Sequence, residues 1–325
     1  MIEQVLPDIY KLEIPLPNNP LRATNSYFIR GKERNLLVDT GFNCEESRLA
    51  MVKALQTLDF SMETTDLLIT HLHSDHAGLL TFLVTPETTV WMSEPDAYVV
   101  GGGRESSHWH LFSSFLQFSG LIANGIEDTI TRHPGYRYAP EIFNGFTMVT
   151  DGFEIKVGDY SFKCLETKGH TPGHICLYDE EKKLLLSGDH ILGKITPNIT
   201  LWQLGEDVLG SYLESLNRIA ALDVELVLPG HRYVLNDCRG RINELKEHHQ
   251  LRLENAMDIL GEHRMNGVEV ASKMKWDLSF KDWKDFPWGQ KLFATGEAMS
   301  HLYHLFQTGA LSITSDNDVF YFRKR

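Results

Sequence analysis

The sequence predicts an α/β layered core followed by a helical C-terminal region. Short apolar runs typical of strands alternate with segments of helical periodicity from the N-terminus to about residue 238. Such alternation is characteristic of layered α/β domains. Helix-like segments at about 239–261, 267–274 and 290–308 then dominate the sequence. Because 325 residues can bury more than one core, we predict one domain at 1–238 and a second at 239–325.

The N-terminal part of the first domain is predicted to alternate between strands and helices. A helix is expected at 45–58, because its apolar residues fall on one stripe. A second helix is expected to begin at 79–84, behind a buried strand. The predicted strands lie at 5–14, 25–30, 35–41, 66–70 and 88–92.

The segment 94–150 differs in composition from the sequence around it and is predicted to be an insert in the first domain. The glycines 101–103 form a flexible junction, and aromatic residues follow at roughly helical spacing. One interpretation is an amphipathic helix that covers the core. The other is an aromatic cap that lines a substrate channel, since apolar pockets hold most organic ligands. On the second interpretation, Trp109 and Phe112 are candidate substrate-binding residues.

Strands resume after the insert, and the chain closes with a hairpin. Apolar runs predict strands at 153–157, 161–166, 174–178, 184–187 and 226–228, with a helix at 210–222. In the C-terminal domain the helices precede two short strands at 310–313 and 319–322. Helices followed by a two-stranded hairpin suggest a winged-helix-like domain.

The composition is that of a globular chain without a membrane anchor. Hydrophobic residues make up 42% and charged residues 23% of the sequence, both ordinary values. No apolar run approaches the ~20 residues of a membrane span, and the N-terminus lacks the pattern of a secretory signal. The four cysteines are scattered, as in reduced proteins. We therefore expect a cytoplasmic protein with no membrane partner.

The formal net charge of −13 constrains the partners. Residues 246–325 contain 11 basic and 11 acidic residues, so the acidic excess lies before residue 246. An acidic protein repels phosphate backbones. We therefore expect a small-molecule substrate; nucleic acid is disfavoured as a partner but stays open, as does formation of a homodimer.

The chemistry is concentrated first in the segment 71–76, directly after the apolar run Leu67-Leu68-Ile69. Imidazole and carboxylate are ligands that Zn²⁺ prefers. Residues i and i+2 of an extended segment share a face, so His71 and His73 can reach one metal ion. Asp75 and His76, where the chain turns, can reach a second.

Three further ligand-type residues follow at predicted strand ends. They are His170, Asp189 and His231, and each comes directly after a glycine. Glycine lets the backbone turn sharply and present the next side chain from a loop. Their succession behind a histidine-rich cluster indicates one composite metal site.

These positions resemble the motifs of metallo-β-lactamase-fold hydrolases, from Asp39 to His231. The resemblance implies a four-layer αβ/βα sandwich with the site at one edge, in which Asp39 supports a metal-binding loop without binding metal. It also implies two metal ions, most simply Zn²⁺, with Fe or Mn as alternatives. The first ion would be held by His71, His73 and His170, the second by Asp75, His76 and His231, and Asp189 would bridge the two.

The metal set is similar to that of glyoxalase II, whereas the whole chain most resembles the branch of β-lactamase-like protein 2, which carries a winged-helix-like C-terminal domain. The resemblance implies a hydrolase that uses a metal-bridging hydroxide, because metal coordination lowers the pKa of water towards ~7. Asp75 and Asp189 are the predicted catalytic residues. The expected substrates are small thioesters, esters or lactones.

Two other functions stay open. One is a metal-dependent endoribonuclease or phosphodiesterase acting on single-stranded RNA, which the predicted tail and the family branch favour. The other is a partner-binding protein around a decayed site, which the intact ligand set disfavours.

The residues beside the ligands have supporting roles in this prediction. His174 and His190 are predicted to hydrogen-bond around the site without binding metal. Arg232 and Tyr233 are weaker candidates for substrate contact, because they follow His231. Histidines on the tail helix, such as His248 and His249, are expected to be solvated.

Overall fold

The computed structural model describes residues 1–121, 126–201, 203–276, 280 and 282–325. The strands are β1 (Ile2–Leu6), β2 (Ile9–Pro15), β3 (Ala23–Ile29), β4 (Asn35–Val38), β5 (Thr65–Leu68), β6 (Val90–Met92), β7 (Phe146–Met148), β8 (Glu154–Val157), β9 (Tyr160–Glu166), β10 (Ile175–Asp179), β11 (Leu184–Gly188), β12 (Leu226–Pro229), β13 (Met265–Asn266), β14 (Leu311–Asp316) and β15 (Val319–Lys324). The helices are α1 (Glu45–Leu58), α2 (Ser74–Ala77), α3 (Leu80–Leu83), α4 (Glu94–Gly101), α5 (His108–Phe118), α6 (Ile126–Arg132), α7 (Pro134–Arg137), α8 (Val208–Ala220), α9 (Cys238–Leu260), α10 (Gly267–Ala271) and α11 (Trp288–Gln307).

Seven strands form the first sheet, in the order β1-β2-β3-β4-β5-β6-β7. The strands β1 to β4 pair antiparallel, whereas β4 to β7 pair parallel. Strands β4 and β5 are apolar at Leu36–Val38 and Leu67–Leu68 because both of their faces are covered there, whereas Thr147 and Met148 of β7 are exposed. Strand β5 is buried along its whole length.

Five strands form the second sheet, in the order β12-β11-β10-β9-β8. Only β11 and β12 run parallel in it, and the chain between them contains α8. Every residue of β10 and β11 is buried. The parallel pairing brings the carboxyl ends of β11 and β12 to the same edge, and this edge carries part of the site described below.

The two sheets pack face to face, as in a sandwich. One apolar core contains residues of both sheets, among them Leu36, Val38, Phe162 and Leu177. A second core lies between the other face of the first sheet and its helices, and Leu37 belongs to it. The alternation from Leu36 to Val38 follows from the two-residue period of a strand. The predicted mixed α/β fold is confirmed.

The chain divides into two compact units. The first comprises 1–107, 134–197 and 215–241, and the second comprises 108–133, 198–214 and 242–325. The last division, at 241/242, lies close to the predicted boundary at 238/239, and the second unit also includes 108–133 and 198–214. The predicted domain bounds stay a prediction. Within the described ranges, no helix combines the length and apolar character needed to cross a membrane.

The second unit has its own core of aromatic and aliphatic side chains. Phe112 and Phe115 of α5 pack there with Leu292 and Leu302 of α11 and with Phe322. A small sheet, β13-β15-β14, completes the unit. The predicted C-terminal helical region and its closing hairpin are present, since β14 and β15 pair antiparallel. The winged-helix-like classification stays a prediction.

Candidate metal centre

The first four site residues lie where β5 gives way to the short helix α2. His71 follows the strand at a bend, and His73 has extended backbone in the position just before α2. Asp75 and His76 then fall in the first turn of that helix. The change from extended to helical backbone turns the second pair of side chains away from the first pair.

Three imidazole nitrogens converge at one point. His73 Nδ1 lies 3.0 Å from His71 Nε2 and 3.0 Å from His170 Nε2. Thr70 Oγ1 donates to Asp39 Oδ2 and therefore accepts from His71 Nδ1, 2.9 Å away. This hydrogen bond leaves the lone pair of His71 on Nε2, which faces the other two rings.

A second group forms beside the first, from Asp75, His76 and His231. His231 Nε2 lies 3.3 Å from His76 Nε2 and 3.3 Å from Asp75 Oδ2. The other ring nitrogens are already engaged: His76 Nδ1 donates to Asp39 at 2.7 Å, and His231 Nδ1 donates to the Ala23 carbonyl at 2.8 Å. In the neutral form of each ring, the lone pair therefore lies on Nε2 and faces the site.

Asp189 lies between the two groups. One carboxylate oxygen, Oδ2, is 3.7 Å from His170 Nε2 and 3.4 Å from His231 Nε2. The other, Oδ1, is 3.5 Å from His76 Nε2 and is buried without a hydrogen-bond partner in the described part of the chain. A carboxylate in this position can serve both groups at once.

Two glycines make room for this arrangement. Gly188 has a φ of +47°, and a Cβ there would lie 2.7 Å from His174 Nε2. A Cβ on Gly230 would lie 2.5 Å from Asp189 Oδ1. The glycines that preceded Asp189 and His231 in the sequence prediction are thus required by close approach as well as by the turn.

The electrostatics favour ionised carboxylates, neutral rings at His71 and His73, and protonated rings at His76 and His231. Burial lowers the pKa of His73 to about 3 and that of His71 well below its ordinary value, in both cases with help from neighbouring histidines. Burial opposes ionisation of Asp75, but the His76 charge and the His231 hydrogen bond outweigh it and hold its pKa at about 2. His231 and His76 have raised pKa values, because the Asp189 and Asp39 charges respectively outweigh burial.

The donor set fits divalent metal ions. His73 Nδ1 faces both the lone pair of His71 Nε2 and His170 Nε2, and its single proton or lone pair can satisfy only one of these two contacts, whereas a cation would satisfy all three nitrogens. Among the described residues, three groups bring metal-type ligand atoms within 4.8 Å of one another. These groups are His71–His73–His170, His71–His76–Asp189 and Asp75–His76–His231.

Asp39 and His174 lie behind the ligand positions. Asp39 accepts from the Thr70 amide and hydroxyl as well as from His76. His174 Nε2 accepts from the Asp189 amide at 3.1 Å, so its proton lies on Nδ1 and is donated to Thr167 Oγ1 at 2.8 Å. With both nitrogens engaged, His174 is not available to a metal ion.

The remaining predicted site residues lie in varied surroundings. His190 is fully buried, and burial lowers its pKa to about 3. Arg232 donates to the Pro20 carbonyl at 2.8 Å, whereas Tyr233 is 64% exposed. A role in substrate contact stays a prediction for both residues.

Trp109 and Phe112 belong to the second unit. Phe112 is 1% exposed and Trp109 packs edge-on against it, with ring centroids 6.0 Å apart. The interpretation of α5 as a core-covering helix accounts for Phe112. Substrate contact by these two residues stays a prediction.

Several supporting residues were missed by sequence reasoning. Thr70 and Thr167 hold His71 and His174, and Asn25 and Tyr27 both donate to the Pro229 carbonyl before His231. The threonines have a weak local signal, since each lies within two residues of a strand end and before a ligand motif. Asn25 and Tyr27 have none, because more than 200 residues separate them from their partner.

One expectation about the tail helix is wrong. His249 is completely buried, not solvated, because it faces α11 and donates from Nδ1 to His301 Nε2 at 3.1 Å. His248 is partly exposed, as 31% of its side-chain surface remains accessible.

Comparison with protein families gives a match over most of the chain. The profile of the metallo-beta-lactamase superfamily matches residues 19–231. The beta-lactamase-like protein 2 homolog of Caenorhabditis elegans is 28% identical over 91% of this chain and 84% of its own length. The lactamase-like protein aptB of Emericella nidulans is 25% identical over 76% of this chain and 63% of its own length.

Two solved structures match over almost the whole chain. A metallo-beta-lactamase family protein from Thermus thermophilus has a TM-score of 0.84 at 27% identity, covering 99% of this chain and all of that one. A beta-lactamase domain protein from Burkholderia ambifaria has a TM-score of 0.85 at 25% identity, covering 100% of this chain and 94% of its own. Both matches therefore extend through the C-terminal helices.

Proposed function

The chain belongs to the metallo-β-lactamase superfamily, and from this we propose that it is a hydrolase with two divalent metal ions, most simply Zn²⁺, acting on small thioesters, esters or lactones. The observation that carries the proposal is the position of Asp189. Its two oxygens lie 3.4–3.7 Å from nitrogens of both histidine groups. A carboxylate shared by two nitrogen-rich groups is suited to a binuclear site.

The proposed ligands follow from the geometry. His71, His73 and His170 would hold one ion, Asp75, His76 and His231 the other, and Asp189 both. When bound, such ions lower the pKa of water and polarise the substrate carbonyl. With all five imidazoles neutral, as metal ligands must be, the seven side chains carry two negative charges, which two dications would offset.

The open side of the site is marked by two of its residues. His73 and Asp75 keep partial exposure, whereas His71, His76 and His231 are sealed from solvent. Substrate is therefore expected to approach past His73 and Asp75. Asp75 Oδ2 faces His231 at 3.3 Å, and its other oxygen can accept a hydrogen bond from the attacking water and orient it.

A small acyl substrate agrees better with the charge of the protein than a polynucleotide does. The net charge is −13, and the acidic excess lies in the part of the chain that builds the site. Nucleic-acid binding depends on neutralisation of phosphates by basic residues. Cleavage of single-stranded RNA is the alternative that the following experiment separates from acyl hydrolysis.

The test is a parallel assay of the zinc-loaded protein on an acyl-thioester, a lactone and single-stranded RNA. We expect turnover of an acyl substrate, reduced at least ~10²-fold by Asp75→Asn because the water loses its orienting carboxylate. Asp159→Asn is the matched control, since that carboxylate is 75% exposed and lies on a surface turn.

Two results would count against the proposal. Turnover of RNA alone, lost in Asp75→Asn, would favour the phosphodiesterase. Activity that survives verified removal of all metal would exclude a metal-dependent hydrolase of either kind.

A further inference from the structure

Asp96 is a completely buried carboxylate whose hydrogen bonds all go to the two loops that carry His73 and His170. Its Oδ2 accepts from the Leu72 amide at 2.9 Å and from Thr171 Oγ1 at 2.6 Å. Its Oδ1 accepts from the Gly173 amide at 2.7 Å. The side chain is 0% exposed.

The fold brings Asp96 to this place through the parallel pairing of β5 and β6. Parallel neighbours end at the same edge of a sheet, so the loop after β5 and the first turn of α4 emerge side by side. Ser93 precedes α4 with extended backbone, and Pro95 occupies the first turn. Asp96 then lies at the third helical position, where the helix dipole favours a negative charge.

The second loop is shaped to meet this carboxylate. A Cβ at residue 173 would lie 2.7 Å from Asp96 Oδ1 and would also overlap Ser93 Oγ. Only glycine therefore allows the amide of residue 173 to reach Asp96. The glycine in the sequence Thr171-Pro172-Gly173 thus has a contact-based reason that the spacing alone did not reveal.

Within the described residues, Asp96 is engaged by these three donors alone and belongs to none of the three groups of metal-type ligands. Burial raises its pKa to about 6, although the hydrogen bonds from Thr171, Leu72 and Gly173 oppose that rise. The hydrogen bonds to the two loops therefore offset the free-energy cost of burying this carboxylate.

The two loops meet in the three-histidine group. Leu72 stands between His71 and His73, and Thr171 directly follows His170. The nitrogens of His73 and His170 are 3.0 Å apart. No comparable link from Asp96 reaches Asp75, His76 or His231 in the described structure.

We propose that Asp96 is a positioning residue that sets the spacing of His73 and His170, and so selectively tunes the affinity of the three-histidine group for its metal ion. This inference rests on the proposed metal centre. It predicts that loss of Asp96 affects one metal position and spares the other, which a general loss of stability would not do.

The test measures binding of Co²⁺ to each position by absorption titration and chelator competition. His170→Ala and His231→Ala provide the reference spectra of protein damaged in one group only. In Asp96→Ala we expect affinity at the three-histidine position to fall 10–100-fold, with the second position changed less than ~3-fold. The Co²⁺ spectrum should move towards that of His170→Ala.

A graded series of variants distinguishes a local effect on metal affinity from misfolding. Thr171→Val removes one hydrogen bond at nearly constant shape, and Asp96→Asn places an amide NH₂ among donors. The affinity should fall in the order wild type, Thr171→Val, Asp96→Asn, Asp96→Ala. Glu94→Gln is the matched control, because that carboxylate is exposed and lies two residues earlier on the same helix.

The outcomes separate this inference from the proposed function. Equal weakening of both metal positions, or a lower melting temperature with unchanged affinities, would overturn the positioning role of Asp96. The proposed metal-dependent hydrolase would not be affected by either result. If the wild-type protein binds no Co²⁺ that His170→Ala or His231→Ala removes, the proposed function fails, and the inference fails with it.

Discussion

Each histidine on the sealed side of the candidate centre is oriented by a hydrogen bond on the nitrogen that faces away from it. Thr70 holds His71, Asp39 holds His76, and the Ala23 carbonyl holds His231. Such partners fix the tautomer and the direction of the ring. The affinity of the site for metal therefore depends on residues that never touch the ion.

Asp39→Asn tests this dependence. Asp39 accepts three hydrogen bonds, and an amide NH₂ cannot accept those from Thr70 Oγ1 and His76 Nδ1. We expect metal affinity to fall about 10–100-fold, measured by competition with a chromogenic chelator.

Asp8→Asn is the matched control for that substitution. Asp8 and Asp39 both have positive φ, 59° and 60°, which asparagine tolerates. Because Asp8 is exposed, its replacement should leave metal affinity unchanged. Equal affinities of wild type and Asp39→Asn would show that Asp39 does not support the centre.

The histidine pair of the second unit predicts sensitivity to acid. Burial lowers the pKa of His249 to about 3 and that of His301 to about 4, and the groups facing them include Glu297, His248 and Arg252. In the unfolded chain these two imidazoles bind protons near pH 6.5, whereas in the folded unit they bind protons only below about pH 4. Stability is therefore complete above about pH 6.5 and is lost as the pH falls towards 4.

Tryptophan fluorescence can follow this loss, since Trp109, Trp276, Trp283 and Trp288 all belong to the second unit. In urea titrations from pH 7 to pH 4, the midpoint should fall by an amount corresponding to several kcal/mol. His301→Gln should reduce the pH dependence without abolishing it, because burial also lowers the pKa of His133 and His108 in the same unit. His263→Gln, at an exposed site, should leave the dependence as in wild type, and a dependence equally steep in His301→Gln and wild type would contradict the assignment.

At the scale of elements, Arg34 joins three consecutive strands of the first sheet. Its guanidinium binds both oxygens of Asp66 at 2.7 and 2.8 Å and donates to the Glu87 carbonyl. Asp66 in turn accepts from the Thr89 amide before β6. The planar fork of arginine suits this geometry, which the single ammonium of lysine cannot reproduce.

Arg34→Ala should lower the free energy of unfolding of the first unit by about 1–2 kcal/mol, and Arg34→Lys should recover only part of it. The measurement is urea unfolding followed by far-ultraviolet circular dichroism. Lys32→Ala is the control, because Lys32 and Asp159 form a pair that is 82% and 75% exposed and is worth at most ~0.5 kcal/mol. Equal losses in the two alanine variants would refute the bridging role.

The elements most accessible to sequence reasoning were those with a local pattern. The helix predicted at 239–261 is observed at Cys238–Leu260, and the hairpin after residue 310 is present. The strand predicted at 5–14 is instead two strands, because Asp8 adopts positive φ between them.

Candidate ligands were also accessible, because each one follows a strand and a turn within a few residues. The contacts that hold them were not. Asp96 reaches Gly173 across 77 positions and Asn25 reaches Pro229 across 204. Such pairings follow from strand order, which a single sequence does not specify.

At the scale of the whole molecule, the proposed metal ions would connect distant parts of the chain. The site draws on residues between His71 and His231, held by loops of both sheets. A ligand that binds only the folded state stabilises it by mass action. At a thousand times the dissociation constant, this amounts to about 4 kcal/mol per ion.

Removal of metal by a chelator should therefore lower the melting temperature by on the order of 10 °C, and added Zn²⁺ should restore it. Hydrogen exchange should locate the lost protection in the loops after β5, β11 and β12, and leave α9 and α11 unchanged. Identical melting with and without chelator would argue against a structural metal centre.

The division into units has a consequence for synthesis on the ribosome. The segment 108–133 belongs to the second unit, whose other large part begins only at residue 242. Phe112 and Phe115 find their partners in α11, about 180 positions later. At a translation rate of 5–20 residues per second, the apolar face of α5 leaves the ribosome roughly 10–40 s before those partners do. During that interval the nascent chain presents a ready target for a chaperone.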